Sequence, residues 1–148
     1  MQWSDYLASQ PEGEAAALVN DLMVGYGTLS FMVRQLTRNG ELREVVAALG
    51  RAELVLDRAY RCLPGAEERV LLPTPRVVAN GQLWQDYLAE RPAQDGAALL
   101  ARLQDVVAQA RVSGEVIGAD GSIGEMGIHL RAALDQQQQL REVLTAGQ

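Results

Sequence analysis

Both tryptophans of this chain stand at the head of the same phrase. Trp3-Ser4-Asp5-Tyr6-Leu7-Ala8 returns as Trp84-Gln85-Asp86-Tyr87-Leu88-Ala89, eighty-one positions later. The match runs on without a gap: Pro11 falls on Pro92, Ala16-Ala17-Leu18 on Ala97-Ala98-Leu99, and Leu22 on Leu103. A self-similarity at fixed spacing constrains the fold more than composition does. Each copy has to build the same supersecondary unit, and each needs a neighbour to bury its apolar face.

Within the first copy, residues 3 to 10 form a short helix that Ser4 or Asp5 is placed to cap. Pro11 punctuates, and Glu12 and Glu14 suit the first turn of the helix that follows. Ala15, Leu18, Leu22, Gly25, Leu29, Met32 and Leu36 then recur at spacings of three and four, the stripe of an amphipathic helix. Gly25-Tyr26-Gly27 interrupts it, so the helix bends there or a neighbour approaches closely. Asn39-Gly40 closes the segment. Leu42, Leu49, Leu56 and Leu63 mark the next helix at intervals of seven, with Val45, Val46, Ala52, Ala59 and Tyr60 between them, until Pro64-Gly65 stops it.

The second copy replays this plan. A short helix covers Leu83 to Glu90, and a long one runs from about Pro92 to Gly118. The last runs from about Ser122 to Thr145, opening on the capping-box pair Ser122 and Glu125. Residues 64–82 differ: Pro73 and Pro75 forbid regular helix, while Val70, Leu71, Leu72, Val77 and Val78 are too apolar for a free linker, so this connector is expected to pack along the body. The expectation is an all-α fold in which two helical hairpins, each preceded by a short helix, pack as a pseudo-twofold four-helix bundle. One cooperative domain of 148 residues then comprises repeat 1 (3–63), the connector (64–82) and repeat 2 (84–144), because one such hairpin buries too little surface to stand alone.

Several chemistries find no support. The thirteen basic residues are all Arg, which removes lysine bases and Schiff bases from side-chain chemistry. Metal binding would need more than the single His129 and single Cys62. Asp120-Gly121-Ser122 fails as a calcium loop, since Val116, Gly118 and Gly127 fall where oxygen ligands belong. Cys62 has no histidine in its own repeat to activate it and reads as a buried small hydrophobe. Gly25-Tyr26-Gly27 lacks the third glycine and preceding strand of a phosphate loop. No cofactor is expected, and catalysis is the lesser expectation. A net charge of −6 argues against nucleic acid. No apolar run approaches the roughly 18 residues of a membrane span. The start lacks the pattern of a signal peptide, so the chain is expected in the cytoplasm and off the membrane.

The copies differ in two informative places. Leu56 falls on Gln137, so a seam position turns polar. Met23, Tyr26, Phe31 and Val33 fall on Gln104, Val107, Val112 and Gly114, so the first long helix is apolar nearly all round. Such a helix is either the centre of the bundle or carries a docking face. The expected function is therefore that of a non-catalytic interaction protein, an adaptor, inhibitor or regulator. Met23, Tyr26, Phe31 and Val33 would take a protein partner or a second copy. The alternative is a small-molecule-binding protein or unusual enzyme with a pocket between the hairpins, where Tyr6, Tyr87 and Arg34 supply polar lining.

Overall fold

A computed structural model describes residues 1–68 and 81–145. It is mostly helical and shows no strand among the described residues. Helix α1 covers Trp3–Ser9, α2 Glu12–Thr37, α3 Leu42–Arg61, α4 Trp84–Ala89, α5 Ala93–Gly118 and α6 Ile123–Thr145. Each helix of residues 3–61 thus begins eighty-one positions before its counterpart. The connector's expected packing concerns residues 69–80, which lie outside the described residues.

Helix α2 packs along α3, α5 along α6, and α3 against α6, whereas α2 and α5 meet only sparsely. The leucines spaced by seven are core: Leu42, Leu49 and Leu56 are fully buried and Leu63 nearly so, with Met126, Leu130, Leu134, Leu140 and Leu144 lying equally deep in α6. Helix α3 is buried almost all round, including Ala48, Gly50, Glu53 and Asp57. The centre of the molecule is therefore the α3–α6 pair rather than α2. Part of the apolar excess of α2 faces outward instead, with Met23 69% and Val24 45% exposed.

Gly25 earns its place in the middle of α2 by close approach. A Cβ there would lie 2.4 Å from Leu56 Cδ2 and 2.5 Å from Leu56 Cγ, and α2 runs unbroken through it. The ion pair of Asp21 with Arg58 adds a second tie between α2 and α3, at 3.0 and 2.7 Å. Apolar burial sets the seam and this exposed guanidinium adds little to it.

The short tryptophan helices bond across the molecule as well as packing within their own halves. Trp3 N–H donates to Gly121 O at 2.9 Å, and Trp84 N–H to Gly40 O at 2.8 Å. Ile123 N–H donates to Met1 O, and Leu42 N–H to Gln82 O. The turn residues explain the arrangement. Asn39 and Asp120 adopt left-handed φ of 55° and 53°, and Gly40 and Gly121 donate back to Gln35 O and Val116 O, closing each long helix as a Schellman turn. Each turn's side chain is thereby free to cap a helix start elsewhere: Asn39 Oδ1 accepts from Gln85 N–H at 2.7 Å, and Asp120 Oδ1 from Ser4 N–H at 2.7 Å. Ser4 is accordingly not the cap of α1 but donates its hydroxyl to Asp120 Oδ2. These bonds hold the Asp120 carboxyl below the usual carboxylate range, the Ser4 hydroxyl contributing most.

Trp3, Tyr6, Trp84 and Tyr87 are all buried, the aromatic pairs lying at 6.5 Å and 5.7 Å between ring centroids. The aromatic residues of the repeated phrase are core, while Ser4, Asp5, Gln85 and Asp86 between them are exposed. One helix bears on the expectation that no apolar run approaches the length of a membrane span. Although no uninterrupted apolar run is that long, α2 is by length and composition apolar enough to cross a membrane, with mean hydropathy 1.3. The buried stripe through Leu18, Leu22, Leu29 and Met32 belongs to the core of the fold.

Candidate functional sites

Because α2 and α5 touch sparsely, a groove opens between them. Its middle is a cavity of about 440 Å³ bounded by Tyr26, Leu29, Ser30 and Val33 from α2 and by Val107, Ala110, Arg111 and Gly114 from α5. It continues into a second cavity of about 400 Å³ past Leu36, Leu100, Leu103 and Gln104. Arg111 lines both cavities and is the only charged residue of either lining among the described residues. The floor is apolar because both helices turn their stripes inward at the same level. Gly114 lines the gap, and a Cβ there would meet no heavy atom within 4 Å.

Two of the four docking residues anticipated from sequence, Tyr26 and Val33, line this groove. Met23 is exposed and lines neither cavity. Phe31 is half-buried and packs against the core. The helical repeat accounts for the split, since residues two apart point roughly 200° away from each other round a helix. Leu100, Leu103 and Arg111 were missed. Leu103 reads as ordinary core when α5 is considered alone, and no sequence pattern singles out Leu100 or Arg111.

The polar lining expected between the hairpins is not brought together. Tyr6 and Tyr87 sit in separate clefts, and Arg34 is exposed on α2. The Tyr6 cleft, about 550 Å³, is lined by Gln10, Glu14, Asp21, Arg58 and Cys62 among others. The Tyr87 cleft, about 200 Å³, is lined by Arg91, Asp95, Leu99, Arg102 and Val143 among others. Tyr6 donates its hydroxyl to Cys62 O, and burial foremost pushes its pKa up. Burial also raises Tyr87, opposed by the nearby Arg91 guanidinium.

Cys62 is exposed rather than buried. Helix α3 ends at Arg61, and the cap residue after it turns toward the Tyr6 cleft. His129 Nδ1 lies 3.2 Å from Gln109 Oε1, tying α6 to α5. Among the described residues no three metal-ligating side chains gather.

A polar seam runs between α3 and α6. Arg141 Nη1 lies 3.2 Å from Glu53 Oε2, and both side chains are almost fully buried. Gln137, at the position matched by Leu56, is also fully buried, and neither of its amide atoms has a hydrogen-bond partner among the described residues. The polar residue has thus stayed in the core. No protein-family model, curated protein or solved structure matches this chain.

Proposed function

We propose that the chain is a non-catalytic interaction protein that docks one amphipathic helix of a protein partner in the α2–α5 groove, as an adaptor, inhibitor or regulator does. The observation that carries this reading is the groove itself: apolar floor, two cavities in line, and a single cationic side chain, Arg111, at its side. An apolar trough between two helices is the usual seat for a helical ligand, read by anchors three and four residues apart. Arg111 favours a partner helix with a carboxylate beside its apolar face. Exposed Met23 and Val24 on the outer surface of α2 extend the apolar area, in keeping with residue types that interface cores favour.

The same reading includes the architecture that makes the groove. We propose a tandem duplication packed as a pseudo-twofold four-helix bundle, within one cooperative domain. The matching helix starts and the reciprocal bonds Trp3–Gly121 and Trp84–Gly40 support it. So does the middle of the groove, where the four residues from α2 each stand eighty-one positions before one of the four from α5.

A photoreactive amino acid placed at Val107 in cells tests the docking directly. One discrete crosslinked protein is expected, lost when Val33→Glu is added and absent when the photoreactive group stands at exposed Glu44. A crosslinking pattern indifferent to Val33→Glu would remove the groove as the docking site.

A further inference from the structure

The two tyrosine clefts are one cleft built twice. Tyr6, Glu14, Ala17 and Leu18 line the first; Tyr87, Asp95, Ala98 and Leu99, each eighty-one positions on, line the second. Against this shared frame three lining positions change their chemistry. Gln10 becomes Arg91, Asp21 becomes Arg102, and Cys62 becomes Val143. The first cleft holds Glu14 and a carboxylate already neutralised by Arg58. The second holds two guanidinium groups against the single carboxylate of Asp95. The sign of the cleft has reversed.

The phenol at its back has also lost its partner. Tyr6 donates to the Cys62 carbonyl, which is available because α3 ends at Arg61. Helix α6 runs on past the matching Val143 to Thr145, and the Tyr87 hydroxyl, buried, has no hydrogen-bond partner among the described residues. Tyr87 as a whole is only 3% exposed. Arg91 lies over its ring at 4.5 Å from the centroid, and Arg102 makes no ion pair among the described residues.

We infer that the Tyr87 cleft binds a small oxyanion, a carboxylate or phosphate, held by the guanidinium groups of Arg91 and Arg102 beside the ring of Tyr87. Arginine's planar fork suits either anion, and charge-assisted hydrogen bonds are the strong ones. The cleft's size admits a small molecule rather than a peptide segment. The Tyr6 cleft, with the opposite balance, does not bind such an anion. This site is separate from the α2–α5 groove, so it stands or falls independently of the docking proposal.

The test titrates inorganic phosphate, and separately succinate, into the isotopically labelled protein at constant ionic strength, following the Arg Nε–H and backbone resonances. Saturable shifts are expected around Tyr87, Arg91 and Arg102 and not around Cys62. Tighter binding of phosphate identifies the ligand class as phosphate, and tighter binding of succinate as carboxylate. Arg102→Gln should weaken the preferred anion about tenfold, the loss of roughly one charged hydrogen bond. Arg58→Gln in the other cleft should change nothing. Shifts that fail to saturate, or that survive Arg102→Gln undiminished, overturn the assignment.

Discussion

Gly25→Ala places a methyl group where the structure leaves no room for one. In an exposed helix this change stabilises by about 1 kcal/mol, because glycine has more backbone freedom to lose. Here the new Cβ would lie 2.4 Å from Leu56 Cδ2 and 2.5 Å from Cγ. Leu56 is fully buried, so it cannot swing into solvent, and relief requires α2 and α3 to move apart or Leu56 to leave its rotamer. Overpacking of this kind costs about 1–3 kcal/mol, which cancels the helix gain and leaves a net loss of up to about 2 kcal/mol. Leu56→Ala alone opens a cavity worth about 2–5 kcal/mol. In the double variant the added methyl partly fills that cavity, so the combined loss should be clearly less than the sum of the two single losses. Urea denaturation of the wild type, both single variants and the double variant closes this cycle. A Gly25→Ala protein more stable than wild type, or strictly additive losses, would refute close packing as the reason for the glycine.

Breaking the buried pair with Glu53→Gln should lose about 3–5 kcal/mol, whereas replacing both partners by Glu53→Leu with Arg141→Met should be neutral or stabilising; thermal and urea unfolding distinguish the two. Asn39→Ala removes the cap of α4 and places alanine at φ 55°, so a loss of about 1 kcal/mol from the cap should be joined by backbone strain. Asp120 gives a pH signature: its folded pKa lies below its ordinary value, so its contribution is present above that ordinary value and lost as pH falls through the folded one. Asp120→Asn should flatten that part of the acid limb of a stability–pH curve.

The fold was legible because its signals were periodic. Helix starts at Glu12, Leu42, Ala93 and Ile123 follow from proline, the Asn-Gly and Asp-Gly turns, and a repeat without gaps. What was not legible depended on contacts between halves. The reciprocal caps from Asn39 and Asp120 cannot be seen in either copy alone, where Ser4 looks like the nearer cap. Cys62 reads as core on any hydrophobicity scale, yet its place just past the last turn of α3 turns it outward. Gln137 announced a difference from Leu56 without revealing its outcome, since burial is fixed by what α3 sets against it. The separation of Tyr6 from Tyr87 likewise follows from docking: each tyrosine closes its own end of the molecule.

Met23 and Phe31 share one apolar excess in the sequence, but the structure divides them, and single variants should show the division. Eight residues apart on α2, they stand roughly 80° apart round the helix. That is enough to set Met23 in solvent at 69% exposure while Phe31 packs half-buried against the core. Met23→Asp should therefore leave stability nearly unchanged, within about 0.5 kcal/mol. Phe31→Asp places a charge against apolar neighbours and should destabilise by a few kcal/mol, about what burying an unpaired polar group costs. A combined Met23→Asp and Phe31→Asp protein cannot serve as a docking test, because its failure to bind would follow from its failure to fold. Val33→Glu, in the groove wall, separates the two effects if its unfolding midpoint in urea stays near wild type. Should Met23→Asp prove as damaging as Phe31→Asp, the outer face of α2 would be covered in the folded protein, and the apolar excess of the first copy would belong to the core after all.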